Sequence, residues 1–595
     1  MTHSLDDVGD AGVARLAWTG AFLHPGAMSN TSTAFPANQA AAAARYEHPC
    51  AWDLDIEPAS LPDLFARSAA RVGDCALVEF MGARYSYARL HAEARRFAAG
   101  LKAAGIGKGD RVGLFLPNVP IYVAAYYGAM MAGAVVVNFS PLYSVEELAA
   151  QVEDSGTRLL VTLDVAALLP TAVKVLDASA LEMLVVGRLA NALPSIKGWL
   201  PKRLGRKKLS PVPDRADVRE WTGFLGQAAD APEGLCAPDD LALLQYTGGT
   251  TGLPKGAMLT HANLSANALQ VDAIDPNVRE KGDIILGGLP LFHVFANTCV
   301  LNRTVVKGGT IVMLARFAAK DALKAIEEHR PTAFPGVPTM FQALLDSPRA
   351  LKTDFSSLEI CISGGAPLPD RLAERFETVA SVPLVEGYGL TESSGVVATN
   401  PYQGRRKPGT IGQLLPRTRA ILLDKEDPTR LAPAGEPGEL ALAGPQIMQG
   451  YWNRPDTQGE TFARHLDCNW LRTGDIATID EDGFITIVDR SKDMIAVSGF
   501  KVFPSQVEDV LLRHPAVKEA LVIGVPDPRT GEAPRAFVSL LAGHTATGKE
   551  LADWLNTRIG KHERVTGVDV RAELPKTIIG KLDRKALRAE LNIAS

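Results

Sequence analysis

The chain has 595 residues, 46% of them hydrophobic and 22% charged, which is long enough for several domains and apolar enough for large cores, and so excludes a fibrous or disordered protein. A net charge of −5 leaves no global basic field and excludes nucleic acid as a main partner. Six cysteines (Cys50, Cys75, Cys236, Cys299, Cys361, Cys468) show no paired C-x-x-C spacing, so neither a disulfide framework nor a zinc site is expected, and a reducing cytoplasm suits them.

Residues 1–45, rich in Ala, Ser, Thr, Asn and Gly, read as a poorly ordered tail, with Met28 an alternative start. No basic leader with an apolar core precedes a small-residue cleavage site, so secretion is not expected. From Leu61 the pattern alternates: a helix at Leu61–Arg71, a strand at Ala76–Phe80, a helix at Ala88–Ala104, a strand at Arg111–Leu116, a helix at Glu146–Asp154 and a strand at Arg158–Leu163. Ile121–Val137 is uncharged, but it is shorter than the ~20 residues of a membrane span and is flanked by Pro117, Asn118 and Pro141, so it reads as a buried helix running into a core strand.

The alternation resumes beyond Leu241, with a strand at Thr310–Leu314, a helix at Ala319–His329 and a strand at Leu358–Ser363. Repeated βαβ units imply mostly parallel sheets, hence an α/β class with two α/β subdomains. From Thr410 short runs such as ELALAG, broken by Gly, Pro and Asp, indicate a β-rich subdomain. After Arg490, helical spacing of Val507, Val510 and Leu511 and of Leu551, Trp554, Leu555 and Ile559 surrounds the strand-like ALVIGV and AFVSLL, which makes a small α+β domain. The expected division is 46–490 for the N-terminal domain and 491–595 for a mobile C-terminal one.

The most informative segment is YTGGTTGLPKG, Tyr246 to Gly256, with three Thr, four Gly and one Lys in eleven positions. Glycine permits close backbone approach and the N–H groups and hydroxyls can wrap an oxyanion. It is not a G-x-x-x-x-G-K-[ST] loop, since Gly256 follows Lys255. A flexible linker is the bland alternative, but linkers seldom carry this much Thr beside Pro-Lys and run straight into a helical pattern, HANLSANALQ. Four further segments follow in order: GGAP (Gly364–Pro367), EGYGLTESS (Glu386–Ser394), RTGDIATID with VDRSKD, and PKTIIGK (Pro575–Lys581).

Together these motifs resemble the adenylate-forming family of acyl-CoA synthetases, firefly luciferases and peptide-synthetase adenylation domains, over about Leu61 to Leu587. NFSPLYSVEELAAQVEDSG and DRSKDMIAVSGF are most similar to its bacterial long-chain fatty acyl-CoA ligases. The resemblance implies that Thr247, Gly248, Gly249, Thr250, Thr251, Gly252 and Lys255 hold the ATP phosphates, although Gly248 stands where Ser or Thr is usual. It implies an ATP site completed by Gly364, Gly365, Ala366, Pro367, Glu386, Gly387, Tyr388, Gly389, Thr391, Asp475, Ile487 and Arg490. In it Tyr388 would stack on adenine, Thr391 would meet the α-phosphate, and Asp475 with Arg490 would take the ribose. Thr247 and Glu392 would hold Mg²⁺, an ion that prefers oxygen ligands. Lys581 would stabilise charge at the α-phosphate, Lys492 would be the hinge, and Ser498, Gly499, Phe500 and Lys501 would face coenzyme A, with Lys501 replacing the usual Asn.

The implied activity is ligation of a fatty acid to coenzyme A through an acyl-adenylate, with Thr247, Thr391, Glu392 and Lys581 as the catalytic set and no side-chain nucleophile. Apolar LPLFHVFANTCV and FPGVPTMFQALL would form the acyl pocket through Phe292, His293, Val294, Gly336, Val337 and Met340, without an acidic partner for an amino group. A long-chain acid is expected; medium-chain or dicarboxylic acids, and a catalytically silent nucleotide-binding homologue, are the alternatives. A monomer or homodimer is expected.

IKGWLPKRLGRKKL, Ile196 to Leu209, holds six basic residues and no acidic one, interleaved with Trp199, Leu200 and Leu204. This suits peripheral contact with an anionic membrane, where a fatty acid partitions, against the plain alternative of a solvated loop. At about 1 kcal/mol per basic residue near an anionic surface, changing Lys202, Arg203, Lys207 and Lys208 to Gln should weaken binding by orders of magnitude. Co-sedimentation with anionic vesicles at low and high salt checks this; sedimentation equal to wild type reduces the segment to a loop.

Overall fold

A computed structural model describes residues 45–193, 208–226, 234–247, 254–277, 279, 282–465, 468–490, 493–497, 500–577, 581–591 and 593. The tail before Arg45 and the basic stretch from Ile196 to Lys207 lie outside these residues.

The alternating pattern folds into two α/β sheets. One has seven strands in the order Val218–Glu220, Met183–Gly187, Thr157–Leu163, Arg111–Leu114, Val135–Asn138, Leu241–Thr247, Lys255–Thr260, parallel except for the last pair. The other has nine: Gln413–Leu414, Ala398–Thr399, Leu384–Tyr388, Ile360–Gly364, Ala333–Gly336, Ile284–Gly287, Thr310–Met313, Ala76–Phe80, Ala83–Ser86. Its six strands from Leu384–Tyr388 to Ala76–Phe80 are parallel, and antiparallel strands close both edges. The sequence pattern locates Ala76–Phe80 but not its sheet: it pairs with Thr310–Met313, so the two units interleave instead of following one another along the chain.

The helices start where local chemistry satisfies their first N–H groups. Ser144 and Glu147 form a capping box for Val145–Ser155, and Thr260 with Asn263 does the same for His261–Ala273 directly after a strand. The uncharged stretch becomes the helix Pro120–Met131, buried on every side, followed by Val135–Asn138. No helix among the described residues is long and apolar enough to cross a membrane.

The β-rich unit is a five-stranded sheet in which Arg419–Leu423, Gly438–Ala443, Cys468–Ile479 and Phe462–His465 pair in turn and Ile485–Arg490 lies against Cys468–Ile479. The C-terminal unit pairs Val517–Asp527 with Gly531–Leu540, with Val568–Arg571 parallel beside the latter. Val507, Leu511, Val522, Val538, Leu551 and Leu555 form its core.

Polar groups inside the large domain are matched closely. Tyr126 donates to Asn297 at 2.6 Å and Tyr127 to Asn302 at 2.9 Å, both Asn side chains on the π-helical turn Asn297–Asn302. The adjoining Arg303 donates to Asp275 and Asp283, 2.6 Å each, and neither carboxylate has exposed side-chain surface. Removing one member of such a cluster strands buried charge. Arg303→Met should therefore cost about 3 kcal/mol of stability in urea unfolding, and adding Asp283→Asn should recover more than additivity allows.

Candidate active site

The site lies at the carboxyl ends of parallel strands in the nine-stranded sheet, where open α/β sheets leave a crevice. Gly364 ends Ile360–Gly364 opposite Gly387 of Leu384–Tyr388, placing GGAP and EGYG side by side. Two glycines here are steric necessities. A Cβ on Gly389 would lie 1.8 Å from the Gly395 carbonyl oxygen; Gly365 has φ +82°, and its Cβ would stand 3.1 Å from Lys581 Cε. The chain thereby admits a lysine from the far end of the sequence against its own backbone.

Asp475 and Arg490, fifteen positions apart, are direct partners on adjacent antiparallel strands. Arg490 Nε donates to Asp475 Oδ1 at 3.1 Å, and Tyr388 donates its hydroxyl to the other carboxylate oxygen. Asp475 raises the Arg490 guanidinium above its ordinary value, and burial holds the Tyr388 phenol well above its own. Ile487 is half-buried on the same strand as Arg490. Burial pushes Glu386 up to about 8 against a backbone hydrogen bond from Leu368, aided by Asp370 and by Asp509 of the C-terminal unit.

Thr247 and Lys255 are register partners at the paired ends of Leu241–Thr247 and Lys255–Thr260. Gly248, Gly249, Thr250, Thr251 and Gly252 lie outside the described residues. Glu392 sits on the single 3₁₀ turn Thr391–Ser393; its carboxylate accepts the Tyr451 hydroxyl at 2.6 Å and its carbonyl accepts the Met448 N–H at 2.9 Å. Among the described residues no three His, Cys, Asp or Glu side chains gather as a metal cage. One carboxylate with a threonine hydroxyl nevertheless fits Mg²⁺, which takes most of its oxygens from substrate phosphates and water.

Lys581 comes into this crevice from the C-terminal unit and is tied to Thr577, whose N–H donates to the Lys581 C=O at 2.7 Å and whose hydroxyl accepts the Lys581 N–H at 3.1 Å. Burial and then Arg490 push its ammonium down to about 8, against Asp475 and Glu392. His293 is pushed down to about 4 by burial and then by Lys581. It is therefore neutral, and its Nδ1 accepts the Phe295 N–H at 3.3 Å, which leaves the proton on Nε2. The units also meet where Asp489 accepts the Ser505 N–H at 3.0 Å.

Of the expected acyl-pocket residues, His293 and Val337 line a cavity of about 10 Å³ together with Leu289, Pro290, Phe295, Ala296 and Gly365. Phe292, Val294, Gly336 and Met340 do not line it. Phe295 lies against Gly364, where a Cβ would be 2.9 Å from its ring. Lys492, Ser498 and Gly499 lie outside the described residues; the backbone of Phe500 and Lys501 forms part of the strand Phe500–Val502. Sequence reasoning does not single out Tyr451 or Phe295: Tyr451 is one aromatic in a turn-like QGYWNR run and Phe295 one among apolar neighbours, and only the fold gives each its Glu392 or glycine partner.

Two family models match the chain, one described as AMP-binding enzyme over residues 65–452 and one as AMP-binding enzyme C-terminal domain over residues 506–581. A Bacillus subtilis (strain 168) protein named long-chain-fatty-acid–CoA ligase is 38% identical over 553 residues, 92% of this chain and 97% of that one. The solved structure of ATP-bound MatB from Rhodopseudomonas palustris matches with a TM-score of 0.77 at 28% identity, over 89% of this chain and 98% of its own. The anthranilate CoA ligase AuaEII in complex with anthranoyl-AMP matches with a TM-score of 0.79 at 25% identity, over 91% and 98%.

Proposed function

Because the chain belongs to the AMP-binding enzyme family, we propose that it ligates a long-chain fatty acid to coenzyme A through an acyl-adenylate, releasing pyrophosphate and then AMP. The observation that carries this is Lys581, brought from the C-terminal unit into a crevice that also holds Glu392, Asp475, Arg490 and neutral His293. The long-chain preference rests on the Bacillus subtilis relative's name.

In the first half-reaction a substrate carboxylate oxygen bonds to the α-phosphorus and the bond to pyrophosphate breaks. Lys581 faces the charge that grows on the α-phosphate, and Lys255 with the 247–252 loop takes the departing phosphates, so catalysis is positional and electrostatic. Tyr388 forms the adenine wall, and the Asp475–Arg490 pair takes the ribose hydroxyls. The His293 Nε2–H is a neutral donor for the carboxylate, orienting it without neutralising its charge. When bound, Mg²⁺ held by Thr247, Glu392 and nucleotide oxygens supplies charge neutralisation for the phosphates. In the second half-reaction the C-terminal unit turns about Lys492, withdrawing Lys581 and bringing the 498–501 segment to coenzyme A, whose sulfur bonds to the acyl carbon as AMP leaves.

Pyrophosphate release with coenzyme A and a panel of acids tests the substrate: palmitate and oleate should give the highest kcat/KM. A preference for octanoate or adipate, or no release with any acid, overturns the reading.

Lys581 gives a second test. A lysine pushed down to about 8 is an ammonium below that pH and an amine above it, so kcat/KM for adenylate formation should fall as pH rises through about 8. Lys581→Arg should flatten this limb. Lys581→Ala should slow adenylate formation about 10²–10³-fold while sparing thioester formation from supplied acyl-adenylate. Equal loss of both steps removes Lys581 from its assigned role.

A further inference from the structure

The short segment Gly450–Arg454 grips the roots of the phosphate loop and the carboxylate of Glu392 at once. Its backbone is fixed to the strand Lys255–Thr260: Met258 N–H donates to Gly450 C=O at 2.9 Å, Gln449 N–H to Met258 C=O at 3.0 Å and Trp452 N–H to Gly256 C=O at 2.8 Å. Asn453, at φ +53°, turns the chain so that Arg454 reaches Asp154 at 2.8 Å. The same Asp154 carboxylate accepts the hydroxyl of Tyr246, at the other root of the loop, at 2.7 Å. A side chain on this segment is therefore aimed by a backbone with little freedom to move.

That side chain is Tyr451. Its hydroxyl donates to Glu392 Oε1 at 2.6 Å, and the Lys255 ammonium lies over its ring, 5.1 Å from the centroid. Both contacts hold a charged group without using up its binding capacity. The phenol takes one carboxylate oxygen and leaves Oε2 for another ligand, and the ring attracts the ammonium through its π face, leaving all three N–H donors for phosphate oxygens. A carboxyl-to-lysine salt bridge would instead have taken an N–H donor from Lys255 and set the two charges against each other.

We propose that Tyr451 is a positioning residue for nucleotide binding, its hydroxyl orienting Glu392 and its ring orienting Lys255. The inference rests on the reading that these two residues meet the nucleotide, and the two parts of Tyr451 can be removed separately. Tyr451→Phe deletes the hydroxyl and keeps the ring; Tyr451→Leu deletes both.

The test is calorimetric binding of a non-hydrolysable ATP analogue to the full chain, with and without Mg²⁺, for wild type, Tyr451→Phe, Tyr451→Leu and Glu392→Ala, alongside unfolding temperatures. Tyr451→Phe should leave the metal-free Kd unchanged and weaken the Mg²⁺-loaded Kd about tenfold, as loss of a hydrogen bond to a charged group predicts. Tyr451→Leu should weaken both. Wild-type affinity of Tyr451→Phe with Mg²⁺, while Glu392→Ala binds weakly, overturns the role of the hydroxyl and leaves the reading of Glu392 standing. If Glu392→Ala itself binds like wild type, the reading beneath the inference fails. Equal metal-free Kd for Tyr451→Phe and Tyr451→Leu overturns the role of the ring. Tyr451→Phe decides the hydroxyl even where Tyr451→Leu does not fold.

Discussion

The crevice depends on an ammonium group held where burial disfavours it. Lys581 is drawn in by Asp475 and Glu392 and opposed by desolvation and Arg490, and the opposition wins by enough to lower it to about 8. The C-terminal unit thus brings to the crevice a lysine whose charged form burial disfavours. Asp509 of that unit is a second group whose charged form burial disfavours: it is pushed up to about 6, with Asp370 of the large domain as a like-charged neighbour.

The large domain shows the opposite character, because the groups facing the crevice are braced. Asp475 is held by both Tyr388 and Arg490. Glu392 is held through side chain and backbone. Elsewhere in the large domain the helix Pro120–Met131 is wholly buried, and its Tyr126 and Tyr127 are tied to Asn297 and Asn302. A site that stabilises charge by fixed dipoles and ions needs this rigidity, since reorganisation during reaction would cancel the benefit.

The sequence discloses the crevice unevenly. GGAP, EGYGLTESS and PKTIIGK are contiguous words whose order along the chain identifies them, and from them Gly364, Gly365, Gly387, Glu392 and Lys581 lie in one place. Their mutual contacts are not written locally. Asp475 meets Arg490 because of antiparallel register, and Tyr451 meets Glu392 because a turn at Asn453 and a ladder to Lys255–Thr260 bring it there. The same limit governs the fold. Ala76–Phe80 is readable as a strand from five residues, while its partner Thr310–Met313 lies beyond an entire second sheet. The acyl pocket is least legible of all, because apolar composition says that a wall is greasy without saying where the space is.

That long-range pairing bears on how the chain is made. The strand Ala76–Phe80 must find an edge offered by Thr310–Met313, which emerges from the ribosome more than two hundred residues later. Until then Val78 and Phe80, both fully buried in the finished protein, have no sheet to complete. A nascent chain stalled between the two strands exposes an unpaired, apolar edge of the kind that chaperones bind and that drives aggregation. A truncation ending at the seven-stranded sheet, tidy as it looks along the sequence, would carry the same defect permanently.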